Sequence, residues 1–126
     1  RDFFNCDSGM LAALIVLQVV AKLHARNESL SSFIDRIVTY ANSGEINFKL
    51  EQKDAAMAAL HETFALKRKP LAVFDFDGYR IEFADWWFNV RKSNTEPYLR
   101  LVAEAKTREL LDEKVAEITA IIKSFT

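Results

Sequence analysis

The sequence predicts an α+β domain with a mainly antiparallel sheet and helices packed on one face. Three observations carry this. Strand-like and helical segments segregate along the chain instead of alternating as in parallel α/β folds. Asp77-Gly78 stands between two strand-like runs, a hairpin signal consistent with a type I′ turn. The C-terminal run places Leu111, Val115, Ile118, Ile122 and Phe125 at helical spacing, one apolar stripe suited to lie on a sheet.

In chain order, Asp7-Ser8 supplies a cap for a helix from about Gly9 to Ala25. Met10, Leu11, Leu14, Ile15, Val16, Leu17, Val19, Val20 and Leu23 leave that helix little polar face, a pattern that calls for burial on most sides, for which this short chain offers little partner mass. Cys6 reads as a small buried hydrophobe and not as a nucleophile, because no His lies near it in sequence. The polar stretch Arg26-Asn27-Glu28-Ser29 reads as a linker. Ser29 or Ser31 then caps a helix over about Leu30–Tyr40, with Phe33, Ile34, Ile37 and Val38 on one stripe, and Ala41–Gly44 turns the chain.

Glu45–Leu50 alternates, with Ile46, Phe48 and Leu50 on one face, and predicts a half-buried strand. Asp54 caps a helix over about Ala55–Ala65 that turns Met57, Leu60 and Phe64 inward. His61 on this helix and His24 on the first lack a second His or Cys at i+3 or i+4, so both read as surface residues and not as metal ligands. Lys67-Arg68-Lys69 is either a solvated loop or an added positive field near an anionic ligand.

Leu71–Phe76 and Tyr79–Phe83 form the arms of the Asp77-Gly78 hairpin, and Ala84-Asp85 makes a second tight turn or bulge. Along Trp86–Val90, Trp86, Phe88 and Val90 share one face while Trp87, Asn89 and Arg91 share the other. Trp87 reads as sheet packing before it reads as a ligand platform. Tyr98–Ala105 is a further strand, antiparallel to the last or near it, and the final helix runs from about Arg108 to Phe125.

Composition narrows the function. A chain of 126 residues is the length of one domain, and half apolar with 28% charged residues is a folding composition. A net charge of −1 supplies no basic excess for nucleic acid. One cysteine excludes an internal disulfide and fits a reducing compartment. The apolar run Met10–Val20 is broken at Gln18 and falls short of the roughly 20 residues that span a bilayer, so no membrane span is expected. The chain begins at Arg1 with no signal-like segment, and reads as a cytoplasmic piece of a longer protein.

The chemistry concentrates in Arg91-Lys92-Ser93-Asn94-Thr95-Glu96-Pro97, between two strands. Such a loop suits a phosphate. A guanidinium at Arg91 can grip two phosphate oxygens, Ser93 and Thr95 bring hydroxyl donors, and Lys92 adds a compact charge. Asn94 tolerates left-handed backbone, which would turn N–H groups inward as an anion nest. Pro97 stiffens the exit. The competing reading is an ordinary polar hairpin turn.

Ala84-Asp85-Trp86-Trp87-Phe88-Asn89-Val90-Arg91-Lys92-Ser93-Asn94-Thr95-Glu96-Pro97-Tyr98-Leu99-Arg100-Leu101 resembles the phosphate-binding loop and flanking strands of the α-D-phosphohexomutases, closest to the phosphomannomutase/phosphoglucomutase branch. Arg1-Asp2-Phe3 with Cys6-Asp7-Ser8-Gly9-Met10 resembles the segment entering the last helix of that family's third domain, and Ser43-Gly44-Glu45-Ile46-Asn47 the first strand of its fourth. The resemblance implies a four-stranded, mainly antiparallel sheet packed with helices, laid out like a TATA-binding-protein domain. It implies that residues 1–28 end the third domain and residues 29–126 form the C-terminal phosphate-binding domain.

The reaction so implied interconverts hexose 1- and 6-phosphates, mannose or glucose, through a hexose bisphosphate intermediate with Mg²⁺ in the whole enzyme. The fourth domain holds the phosphate that is not transferred. Arg91, Ser93, Asn94 and Thr95 are thereby implied as phosphate contacts, with Lys92, Glu96 and Arg100 as supporting residues. Glu96 would orient Arg91 or Arg100; Arg100 either backs the site or makes a surface salt bridge. No phosphoserine loop, aspartate metal loop or sugar-reading loop occurs in the sequence, and Asp75, Asp77 and Asp85 sit at turns. No catalytic or metal residue is expected, no cofactor is expected in this chain, and the chain alone should be inactive. Its partners would be the remaining domains and the hexose phosphate. Two other readings stay open: the same domain of a phosphoglucosamine- or phosphoacetylglucosamine-type mutase, and a non-catalytic interaction module that docks through its apolar first helix.

Overall fold

The computed structural model describes residues 8–126, so the expectations for Cys6 and for Asp7 as a cap lie outside the described residues. The chain divides into two compact units, Arg1–Thr39 and Tyr40–Thr126.

In the first unit, α1 (Gly9–His24) starts at Ser8, whose hydroxyl accepts from the Leu11 N–H at 3.2 Å. It ends where Asn27 turns left-handed at φ 56° and the Glu28 N–H donates to the Leu23 carbonyl, a Schellman-type stop. Helix α2 (Leu30–Ile37) is capped by Ser29 and stops before Tyr40 because Val38 is extended. The burial expected for α1 on most sides is not found: Met10 is 79% exposed and Leu17 61%, and Leu23 alone is buried.

The second unit runs β1 (Ala41–Asn42), β2 (Ile46–Lys49), α3 (Lys53–His61) with a π-helical extension Glu62–Leu66, β3 (Ala72–Phe74), β4 (Tyr79–Glu82), β5 (Trp86–Lys92), β6 (Tyr98–Ala105) and α4 (Arg108–Lys123). Every pairing is antiparallel, in the order β1-β6-β5-β4-β3, with β2 also on β6. The class is α+β, with six strands where the resemblance implied four and the residue pattern named five. The strand not named is β1, at the β6 edge, where the segment read as a turn keeps pairing. Ser43 donates its N–H to the Ala103 carbonyl at 3.0 Å and accepts from the Ala103 N–H through its hydroxyl at 2.9 Å. Gly44, at φ 66°, kinks the edge between β1 and β2.

Strict alternation along β5 and β6 separates two faces. Ile81, Phe88, Val90, Leu99 and Leu101 are fully buried with Leu60 and Phe64 of the α3 segment and Leu111, Ile118 and Ile122 of α4. Phe64 meets Phe88 and Trp86 edge-on, with ring centres 5.1 and 5.7 Å apart. Thr107 caps α4 by accepting from the Leu110 N–H. On the opposite face Trp87 lies under the Arg80 guanidinium at 4.1 Å and donates its indole N–H to Glu104.

Three local expectations change. Strand β5 continues through Lys92, so Arg91 and Lys92 belong to the strand and not to the loop. Helix α3 begins at Lys53 without a side-chain cap; Asp54 lies inside its first turn, and its carboxylate is taken by Lys92. The β3–β4 connection is Asp75–Gly78. A type I′ turn needs positive φ at both central residues, and here Gly78 has it (φ 78°) while Asp77 does not.

Candidate functional site

The β5–β6 hairpin carries the loop out of the sheet. Its last bond is Ser93 N–H to the Tyr98 carbonyl at 2.9 Å, and the exposed bend Asn94–Pro97 follows. Three contacts tether this end of the hairpin to Leu50 and to the first turn of α3. Leu50 N–H donates to the Pro97 carbonyl, Lys53 Nζ donates to the Glu96 carbonyl, and Lys92 Nζ donates to Asp54 Oδ1 at 2.7 Å. Lys92 thereby points away from Arg91, and its hydrogen bond and charge, with a smaller contribution from Lys53, hold the Asp54 carboxyl below the usual aspartate range.

Asn94 does not adopt the left-handed backbone expected for an anion nest. Among the described non-glycine residues only Asn27 has positive φ. Ser93, Asn94 and Thr95 make no side-chain hydrogen bond among the described residues, so their donors remain available.

Arg91 projects from the open face, 41% exposed, between two carboxylates at long range. Its Nη1 is 3.5 Å from Asp77 Oδ2 and its Nη2 is 3.8 Å from Glu45 Oε2. Arg100 is its register partner across β6. Arg100 sits 3.8 Å from Glu45 through Nε and 3.7 Å from Glu96 through Nη2. The Arg100 Nε is buried and lacks a hydrogen-bond partner. The fold thus brings Arg91, Arg100 and Glu96 into one charged cluster, sets Ser93, Asn94 and Thr95 at the bend, and diverts Lys92 to Asp54.

Three neighbours were not singled out from sequence as site residues: Glu45, Asp77 and Gly78. Glu45 was legible only as one polar position on a strand, and Asp77-Gly78 only as a hairpin. Gly78 presses directly on β5: a β-carbon there would lie 2.1 Å from the Val90 carbonyl oxygen. Beside Arg91 the open face forms a shallow hollow lined by Phe74, Phe76, Arg80, Trp87 and Asn89.

The basic run Lys67–Lys69 does not join this cluster. Lys67 pairs with Glu62 at 2.8 Å, and Arg68 pairs with Glu117 over the Phe64 ring. No three His, Cys, Asp or Glu side chains converge among the described residues, so a divalent metal finds no donor set here. No helix among the described residues is long and apolar enough to cross a membrane.

Comparison with known proteins gives a consistent set of similarities. A family model described as "Phosphoglucomutase/phosphomannomutase, C-terminal domain" matches residues 45–121. A phosphomannomutase of Escherichia coli (strain K12) is 41% identical over 121 residues, covering 88% of this chain and 25% of that protein. One from Salmonella montevideo is 39% identical over 126 residues, covering 98% and 26%. One from Methanocaldococcus jannaschii is 37% identical over 116 residues, covering 92% and 24%. The chain therefore spans about a quarter of the length of these curated relatives. The crystal structure of a phosphoglucomutase/phosphomannomutase family protein from Burkholderia thailandensis shares the fold at a TM-score of 0.65 and 20% identity, over 97% of this chain and 25% of that one.

Proposed function

The chain belongs to the phosphoglucomutase/phosphomannomutase family as its C-terminal domain, and from that premise we propose that its β5–β6 hairpin binds the non-transferred phosphate of a hexose phosphate. The observation that supports this most is the pairing of a half-exposed Arg91 with a bend whose Ser93, Asn94 and Thr95 side-chain donors have no protein partner among the described residues. The Arg91 guanidinium takes two phosphate oxygens in a fork, and the hydroxyls and the amide take the third. Arg100 and Glu96 set the charge around Arg91.

In the enzyme so inferred, mannose or glucose 1- and 6-phosphates interconvert through a bisphosphate that must turn end over end. A grip on phosphate alone serves either orientation, and it spends remote binding energy on orienting the reacting end. The phosphoryl-donating serine, the Mg²⁺ site and the sugar-reading loop belong to the other domains of the cytoplasmic enzyme. Residues 29–126 are the phosphate-binding domain, residues 1–28 end the preceding domain, and this chain alone does not turn over substrate. Asn94 favours the mannose/glucose branch over amino-sugar mutases.

An amide NMR titration with glucose 1-phosphate, mannose 1-phosphate and inorganic phosphate tests the reading. Shifts clustered on Arg91–Thr95, alike for the three ligands and lost in Arg91→Ala, are expected; shifts elsewhere, or their persistence in Arg91→Ala, would refute it. A second reading rests on the exposed apolar side chains of α1: a non-catalytic module docking through that helix. Repeating the phosphate titration on a Leu14→Lys, Leu17→Lys pair separates the two, since the first reading expects the Arg91–Thr95 shifts to persist when α1 is made polar, whereas the second expects no phosphate response in either chain.

A further inference from the structure

We propose that Glu45 is a positioning residue of this site, holding Arg91 and Arg100 side by side so that both guanidiniums face one phosphate; the inference rests on the phosphate-binding reading. Arg91 and Arg100 are directly opposed on the open face, where like charges repel. Glu45, just before β2, accepts from Asn47 Nδ2 at 3.3 Å through Oε1, which fixes its carboxylate, and places one oxygen toward each arginine: Oε2 toward Arg91 Nη2 and Oε1 toward Arg100 Nε, both at 3.8 Å. Shared in this way, the carboxylate neutralises one of the two positive charges and limits how far the arginines can part.

The geometry also divides the work around Arg91. Its Nη2 edge faces Glu45, while its Nη1 edge faces Asp77, whose side chain is 71% exposed on the β3–β4 turn. A phosphate that displaces Asp77 from Nη1 leaves the Glu45 anchor in place. Arg100 Nε, buried without a hydrogen-bond partner, has Glu45 as its near acceptor. A closure of about 1 Å turns that contact into a charge-assisted hydrogen bond.

The test uses this chain with inorganic phosphate, read from backbone amides and arginine Nε–H signals. Glu45→Gln is expected to weaken phosphate binding by about fivefold, the upper reach of an exposed ion pair, although it makes the cluster more positive. In an Arg100→Met background the same change should have a much smaller effect. Without ligand, Glu45→Gln should move the Nε–H signals of Arg91 and Arg100 together while the Phe88 and Leu101 amides stay in place. Unchanged or tighter binding in Glu45→Gln, with Arg91→Ala still abolishing it, overturns the role of Glu45 and leaves the phosphate reading standing. No response of the unaltered chain to phosphate overturns that reading and this inference with it.

Discussion

Gly78 lies so close to Arg91 that a β-carbon at position 78 would be 2.8 Å from the Arg91 Cα. Gly78 also has φ 78°, where an L-residue is strained. Gly78→Ala should therefore cost about 1–3 kcal/mol of stability and displace β5 at Arg91. Urea denaturation checks the first effect. The second appears as weaker phosphate binding, with amide shifts concentrated at Val90–Ser93.

Arg91→Lys keeps the charge and loses the planar fork. Phosphate affinity of the chain should fall about tenfold, short of the loss in Arg91→Ala, because a lysine keeps the charge but cannot take two oxygens in parallel. Calorimetric titration with inorganic phosphate measures it.

Asp77 competes with phosphate for the Nη1 edge of Arg91. Asp77→Asn removes that competitor and should tighten phosphate binding about two- to threefold at low salt, an effect that shrinks as salt screens the cluster. Titrations at two ionic strengths test both statements, and the direction is opposite to that expected for Glu45→Gln.

Asp54 titrates below the usual aspartate range because Lys92 holds its ionised form. A carboxyl whose folded pKa is depressed contributes stability above its unfolded pKa, near pH 4, and loses it as pH falls through the folded value. Carboxyl NMR should place the Asp54 midpoint below that of an unpaired aspartate, and Lys92→Met should raise it. The acid-side stability difference between the chain and Lys92→Met should vanish below the folded midpoint.

Phe88 is fully buried at the centre of β5, in contact with Phe64 and Trp86. Phe88→Ala should cost about 3–5 kcal/mol, a large share of a small domain's stability. Denaturant unfolding of the variant gives the value directly.

Every element with a local period is legible in the order of the residues alone. The i, i+4, i+7 stripe of α4, the alternation of β5 and β6, and the serine caps of α1 and α2 depend only on residues a few positions apart. The bend Ser93–Pro97 is legible for the same reason, and its resemblance to a known loop points to the family. Less visible is anything that depends on a distant partner. The continuation of the β6 edge through Ser43 needs Ala103, the length of β5 needs Leu99 opposite Lys92, and the Asp75–Gly78 turn is shaped by the close approach of β5.

Fold class, the two faces of the central strands and the family are therefore written in the chain itself. Side-chain alternation and helical spacing are encoded within a few residues, and a loop motif survives as a string. The electrostatic company of Arg91 comes from tertiary contact: Arg100 opposite it, Glu45 and Asp77 at its two edges, Gly78 against its backbone, and Lys92 turned away to Asp54. Those neighbours come from the segment entering β2, the β3–β4 turn, strand β6 and helix α3. Which of them meet is set by register and by sheet order, and neither is a property of any single stretch of chain.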